Sequence, residues 1–191
     1  MGLEDNTIIV FTSDHGEEFL EHGNFEHGHT VFDELIHIPL VMTGPGVKAG
    51  IRIPQVVRQV DILPTLCEWA DVAGERAFTG LSLMDELRGK PGRSRNVLSH
   101  GNMWGEPSSA WRDGDWKLIV PADGNPMLFH ISEDPGERKN LAHSEPERLK
   151  TMQDSLEAME SAMASLGAGK EVNLSAAERN KLKGMGYSGG D

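Results

Sequence analysis

Thr7-Ile8-Ile9-Val10-Phe11-Thr12-Ser13-Asp14-His15-Gly16-Glu17-Glu18 is the stretch on which the reading of this chain turns. Its first half is a short run of apolar, β-branched residues, the composition of a buried strand. Its second half sets a carboxylate, an imidazole and a glycine just past that strand's carboxyl end. In open α/β sheets, ligands bind in the crevice outside the strand ends. An aspartate and a histidine there can share one divalent cation, and Gly16 lets the backbone turn tightly beside them. Asp14 and His15 are therefore candidate metal ligands. The plainer alternative is a helix cap followed by a surface histidine.

Towards the carboxyl end, His22-Gly23 and His27-Gly28-His29-Thr30 follow at once, so four of the chain's 8 histidines fall within residues 15–29. His27 and His29 lie in a loop that must double back toward the next strand. A histidine there can donate to an anionic substrate oxygen or protonate a leaving group. The alternative is that one of them caps a helix at Thr30 or faces water. His27 is the first candidate for a catalytic role, and both His27 and His29 are candidates for substrate binding. His22 and His37 read as braces, and Glu17 and Glu18 as supporting or solvated carboxylates.

Further out, His37 to Met42 reads as a second strand, closed by Thr43-Gly44-Pro45-Gly46, with a short helix between Thr30 and Ile36. Asp61 to Ala70 reads as a helix in which Asp61 could serve as the cap and Pro64 is tolerated in the first turn. The Gly-, Pro- and Arg-rich stretch Arg88 to Arg95 is the candidate linker, dividing the chain into residues 1–95 and 96–191. Beyond it, Ser109 to Arg112, Trp116 to Val120 and Met127 to His130 read as short strands. They are separated by the turn signals Asp113-Gly114-Asp115 and Ala122-Asp123-Gly124-Asn125, which predicts an antiparallel meander. Leu149, Met152, Leu156, Met159, Met163 and Leu166 form one face of an amphipathic helix that would cover it. A last short helix is expected between Asn173 and Met185. Cys67 reads as a buried structural thiol, and Trp111 and Trp116 as packing in the meander.

The net charge of −12 argues against a nucleic-acid partner. With 38% hydrophobic residues the chain can build a core. The lone cysteine excludes an internal disulfide. The first residues have neither the basic nor the apolar region of a signal peptide, and no apolar run approaches the roughly 20 residues of a membrane span.

Taken in order, these pieces resemble the C-terminal half of the sulfatase catalytic domain, in the alkaline-phosphatase-like superfamily. Asp5-Asn6-Thr7 with the strand and Thr12 to Glu17 carry the resemblance. So do His27-Gly28 with Phe32-Asp33-Glu34, His37 to Leu40, and Val60 to Leu66. Arg112 to Leu118, Leu128-Phe129, Asp134 to Glu137 and Asn140-Leu141 resemble the family's small C-terminal domain, and Leu182 to Tyr187 its tail. The implied fold class is α/β: an alkaline-phosphatase-like sheet fragment, then a small α+β domain with an antiparallel sheet and a covering helix.

The resemblance implies a sulfuric ester hydrolase using Ca2+ or another divalent cation, with a sulfated small molecule or carbohydrate as substrate. Asp14 and His15 match the family's second metal pair. The family commonly has a sulfate-contacting lysine where this chain has Gly28, and some relatives carry a histidine-glycine pair there, which gives the role to His27. The family's nucleophile is a cysteine converted to formylglycine in a Cys-x-Pro-x-Arg segment, and Cys67 is not in such a segment. That nucleophile and two further metal-binding aspartates are expected in an N-terminal half this chain lacks, with Met1 an internal methionine or a misplaced start. The chain alone is then expected to be inactive, and a parallel sheet without its first strands would expose an apolar edge. Phosphodiester or phosphonate hydrolases and phosphoethanolamine transferases share the scaffold and are the alternative. A non-catalytic truncated product is another. A periplasmic or extracellular location is plausible for the family.

Overall fold

The computed structural model describes residues 2–72, 78–101, 107–122, 124–165 and 175–184. Strand β1 (Ile9–Thr12) is followed by the short pair β2 (Glu18–Phe19) and β3 (Phe25–Glu26), one-turn helix α1 (Asp33–Ile36) and strand β4 (Leu40–Thr43). Helices α2 (Ile62–Trp69) and α3 (Met84–Leu87) come next. The second half holds strands β5 (Val97–His100), β6 (Ser108–Asp113), β7 (Trp116–Pro121) and β8 (Met127–His130), then helices α4 (Pro146–Ser165) and α5 (Ala176–Gly184). The expected helix ends at Leu166, Asn173 and Met185, the turn residue Asp123 and the tail beyond Gly184 lie outside the described residues.

The meander is present as expected, with one strand more. β5, β6, β7 and β8 pair in sequence order, each antiparallel to the next. Gly114, at φ 59, makes the tight β6–β7 turn. The sheet is covered on both faces. Trp111, Leu118 and Leu128 point to one face and pack on Met152 and Leu156 of α4. Ala110, Ile119 and Phe129 point to the other and pack on Val31 and Phe32, which lead into α1. Two covered faces explain why β7 reads Trp-Lys-Leu-Ile-Val rather than alternating with polar residues. Leu118 and Leu128 are fully buried, each contributing about 1.5–3 kcal/mol of hydrophobic stabilisation. The covering helix runs past the sheet, leaving Met163 exposed although it belongs to the apolar stripe.

The first half departs from expectation in two ways. β1 pairs with β4 antiparallel, Phe11 opposite Val41 and Val10 opposite Met42, not in a parallel sheet. Among the described residues only one face of that pair is covered: Leu40 and Met42 pack on Leu83, Met84 and Leu87 around α3. Ile9, Phe11 and Val41 stand on the other face, 55%, 64% and 58% exposed, so β1 is not a buried strand. An exposed apolar surface is thus present, as a face of the pair.

Pro64 is the third residue of α2, where its missing N–H costs nothing. Asp61 precedes α2 but makes no side-chain cap. Its carboxylate instead meets Arg58 Nη2 at 2.8 Å and Arg95 Nε at 3.2 Å. Arg95, from the expected linker, is buried and also pairs with Glu86 at 2.8 Å. Cys67 is half-buried rather than buried. Among the described residues no helix is long and apolar enough to cross a membrane.

Candidate functional site

Asp14 and His15 lie directly beyond the end of β1, as the sequence predicts. Gly16 allows the chain to close on α1: its N–H donates to the Leu35 carbonyl at 2.8 Å, and a Cβ there would overlap the Glu34 carbonyl oxygen. On the other side, the Gln59 amide donates to the carbonyls of Asp14 (2.8 Å) and Ser13 (3.3 Å). Gln59 opens the turn that the Arg58–Asp61–Arg95 cluster holds in place. The metal-type pair is thus gripped from both sides through its backbone.

The ring of His15 has a defined tautomer. Its Nδ1–H donates to the Gly16 carbonyl at 2.7 Å, so in the neutral ring Nε2 carries the lone pair. That Nε2 lies 3.8 Å from Asp14 Oδ1. A cation bonded at about 2.0–2.6 Å to each atom spans this gap, so the two residues fit a shared divalent ion. His27 stacks on His15 with ring centroids 4.0 Å apart. Its Nδ1–H donates to Glu17 Oε2 at 3.3 Å, which leaves Nε2 as the ring nitrogen that can donate to an anion when the ring is an imidazolium. His15, Glu17 and His27 each offer a ligand atom within 4.8 Å of the others, a second donor set overlapping the first. Asp14, His15, His27 and Gln59 share a cleft of about 450 Å³ whose far walls come from α1 and the meander.

His29 behaves differently. It does not line that cleft, and its Nε2–H donates to Glu18 Oε2 at 2.8 Å. Glu18 is neither solvated nor peripheral: it is completely buried. Burial alone would push its carboxyl up, but the His29 hydrogen bond and the amides of Asn24 and His22 outweigh it and hold it below the ordinary range. His22 is a brace, as expected. Its Nδ1 meets Glu34 Oε1 at 2.5 Å, its Nε2 meets the Glu137 carbonyl at 3.2 Å, and its ring lies flat on Phe32. Both partners only accept, so both ring nitrogens carry protons. Burial opposes that charge, but Glu34 and the Glu137 carbonyl raise the His22 pKa above its ordinary value.

The loop is also tied to the meander by charge. Lys117 is completely buried on the face that packs against α1, with Nζ 2.7 Å from Asp33 Oδ1 and 2.8 Å from Glu137 Oε1. Glu137 in turn accepts the Asp33 amide at 2.6 Å. Burial pushes the Glu137 carboxyl up, with Lys117 opposing. Of the two readings the sequence left open for Glu18, supporting and solvated, the structure selects the first, and sequence reading missed Gln59 and Lys117 as supports of the site. Lys117 alone carried a signal, as a lone charge inside an apolar strand.

The family model described as Sulfatase matches residues 1–72. Mouse arylsulfatase K is 35% identical over 160 residues, covering 77% of this chain and 29% of the relative. BT1596, a 2-O GAG sulfatase, superposes with a TM-score of 0.74 at 28% identity, covering 86% of this chain and 38% of that one. Phosphonate monoester hydrolase of Agrobacterium radiobacter superposes with a TM-score of 0.73 at 25% identity, covering 84% and 36%. The chain spans about a third of the length of the relatives it matches, and its fold is that of the alkaline-phosphatase-like sulfatases. On this evidence the chain belongs to the sulfatase family.

Proposed function

We propose that this chain carries one half of the active site of a sulfuric ester hydrolase: half of a divalent-cation site, in Asp14 and His15, and an anion-contacting histidine, His27. The observation that supports it is the 3.8 Å approach of Asp14 Oδ1 to His15 Nε2, with the His27 ring stacked alongside in the same cleft. Calcium takes 6–8 oxygen ligands, so the remaining ligands, and a formylglycine nucleophile, would come from the larger part of a full-length relative. When bound, a divalent cation there offsets charge developing on the sulfuryl oxygens. The chain's own residues do the rest. The Gly16 carbonyl fixes the His15 tautomer, Gln59 holds the Asp14 backbone, and Glu17 orients His27 so that Nε2–H of its imidazolium form can meet the sulfate or the leaving-group oxygen. The substrate class is a sulfated small molecule or carbohydrate.

The test is a chimera in which this chain replaces the matching segment of mouse arylsulfatase K. Hydrolysis of 4-nitrophenyl sulfate is expected, falling roughly a hundredfold or more in Asp14→Ala and in His27→Ala. A folded, active chimera indifferent to both substitutions would overturn the assignment. The likeness to a phosphonate monoester hydrolase favours one second reading, phosphonate ester hydrolysis on the same scaffold. Faster turnover of a phenylphosphonate ester than of the sulfate would select it.

A further inference from the structure

We propose that Glu18 is a positioning residue for His27, acting through the His29 imidazole and the loop backbone, and that His29 is therefore a strut and not a substrate contact. This rests on the reading that His27 meets the substrate anion. One carboxylate grips the loop on both sides of His27. Its Oε1 accepts the amides of His22 (3.0 Å) and Asn24 (2.8 Å), and its Oε2 accepts His29 Nε2–H at 2.8 Å. The residue between these anchors that directly precedes His27 is Glu26, at φ 73. A non-glycine residue in the left-handed region persists only where its surroundings over-determine it. Here the surroundings are the two-residue β2–β3 pairing and the Glu18 carboxylate. Glu18 has no exposed surface, so its negative charge is balanced within the loop and by His29, whose side chain is 18% exposed. A carboxylate serves where an amide would not, because all three partners are donors and an amide nitrogen would face one of them.

The test uses the 191-residue chain, with NMR of its histidine rings and inorganic sulfate as the probe. In the sulfate-free protein, the His15–His27 stack gives ring-current shifts on both rings. Glu18→Ala and His29→Ala are expected to abolish those shifts. His29→Gln, which keeps an N–H for Glu18, is expected to retain them, a rescue that loss of packing alone would not produce. Sulfate is expected to shift the His27 ring and leave the His29 ring unmoved, with affinity falling roughly tenfold in His29→Ala, the low end for loss of an outer partner. Far-ultraviolet circular dichroism identifies any variant that has unfolded, and His29→Gln against His29→Ala then decides. Retention of the ring shifts in folded Glu18→Ala, or a sulfate response at His29 as large as at His27, overturns the proposal. Absence of any sulfate response at His27 in the unsubstituted chain, with the stack still lost in Glu18→Ala, overturns the anion-contact reading while leaving the strut in place.

Discussion

Replacing Lys117 with methionine should loosen the attachment of the site loop to the meander. The ammonium is buried between two carboxylates, with Nζ 2.7 Å from Asp33 and 2.8 Å from Glu137. Methionine fills nearly the same volume, so the loss is of charge and not of packing. Breaking a buried pair by removing one partner costs about 3–5 kcal/mol, because the other charge is stranded. Two features place the loss near the low end. Asp33 keeps Arg112 Nη1 at 3.4 Å, and Glu137, already pushed up by burial, can take a proton. At about 2–4 °C per kcal/mol for a chain of this size, a loss of about 3 kcal/mol lowers Tm by about 6–12 °C. Thermal and urea unfolding followed by circular dichroism and tryptophan fluorescence would measure it, with coincident transitions required before a free energy is quoted. Adding Glu137→Gln to Lys117→Met removes the stranded charge and should recover at least about 1 kcal/mol. A Lys117→Met loss below about 1 kcal/mol, or a double variant no better than the single, would refute the reasoning.

Three further outcomes follow from the same structure. The His22 imidazolium has a pKa raised above its ordinary 6.5, so its contribution is complete below that value and is lost as pH rises through the raised one. Ionisation of Glu137, whose pKa is also raised, acts in the same direction, whereas Glu18, held below its ordinary 4.5, loses its contribution as pH falls. Stability should therefore be greatest between these ranges, and His22→Gln should flatten the alkaline limb of a pH–Tm curve; an unchanged limb would count against the doubly donating ring. Phe11→Ser, on the exposed face of β1 and β4, should reduce aggregation seen by light scattering while changing stability by less than about 1 kcal/mol. A large loss of stability would mean that this face is covered in solution. Purified alone, the 191-residue chain should show no turnover of 4-nitrophenyl sulfate, and a clear rate free of contaminants would contradict the half-site assignment.

The readable parts of the sequence were those set by local pattern. β6 to β8 and α4 lie where alternation, turn residues and apolar spacing put them, and Asp14 and His15 sit where the strand end predicted. What escaped was set by partners distant in sequence. Val97 to His100 is too short and mixed to announce a strand, and becomes one by pairing with Arg112 to Ser109. The Thr7 to Phe11 run reads as buried because continuous apolar strands are usually covered twice; here only the face toward α3 is. Glu18 read, like Glu17, as a supporting or a solvated carboxylate, and the pattern could not choose between the two because its donors, His22, Asn24 and His29, come 4 to 11 residues later. Asp61 suits a helix cap by position, but two arginines, one from 34 residues downstream, claim its carboxylate.

Under the proposed function Asp14 and His15 supply only part of a divalent-cation site. Calcium titration of the unsubstituted chain by isothermal calorimetry, with Asp14→Ala beside it, tests this most directly. Weak uptake is expected, with a Kd of roughly 1 mM or above, that disappears in the variant. Stoichiometric micromolar binding by the chain alone, or binding indifferent to Asp14, would contradict it.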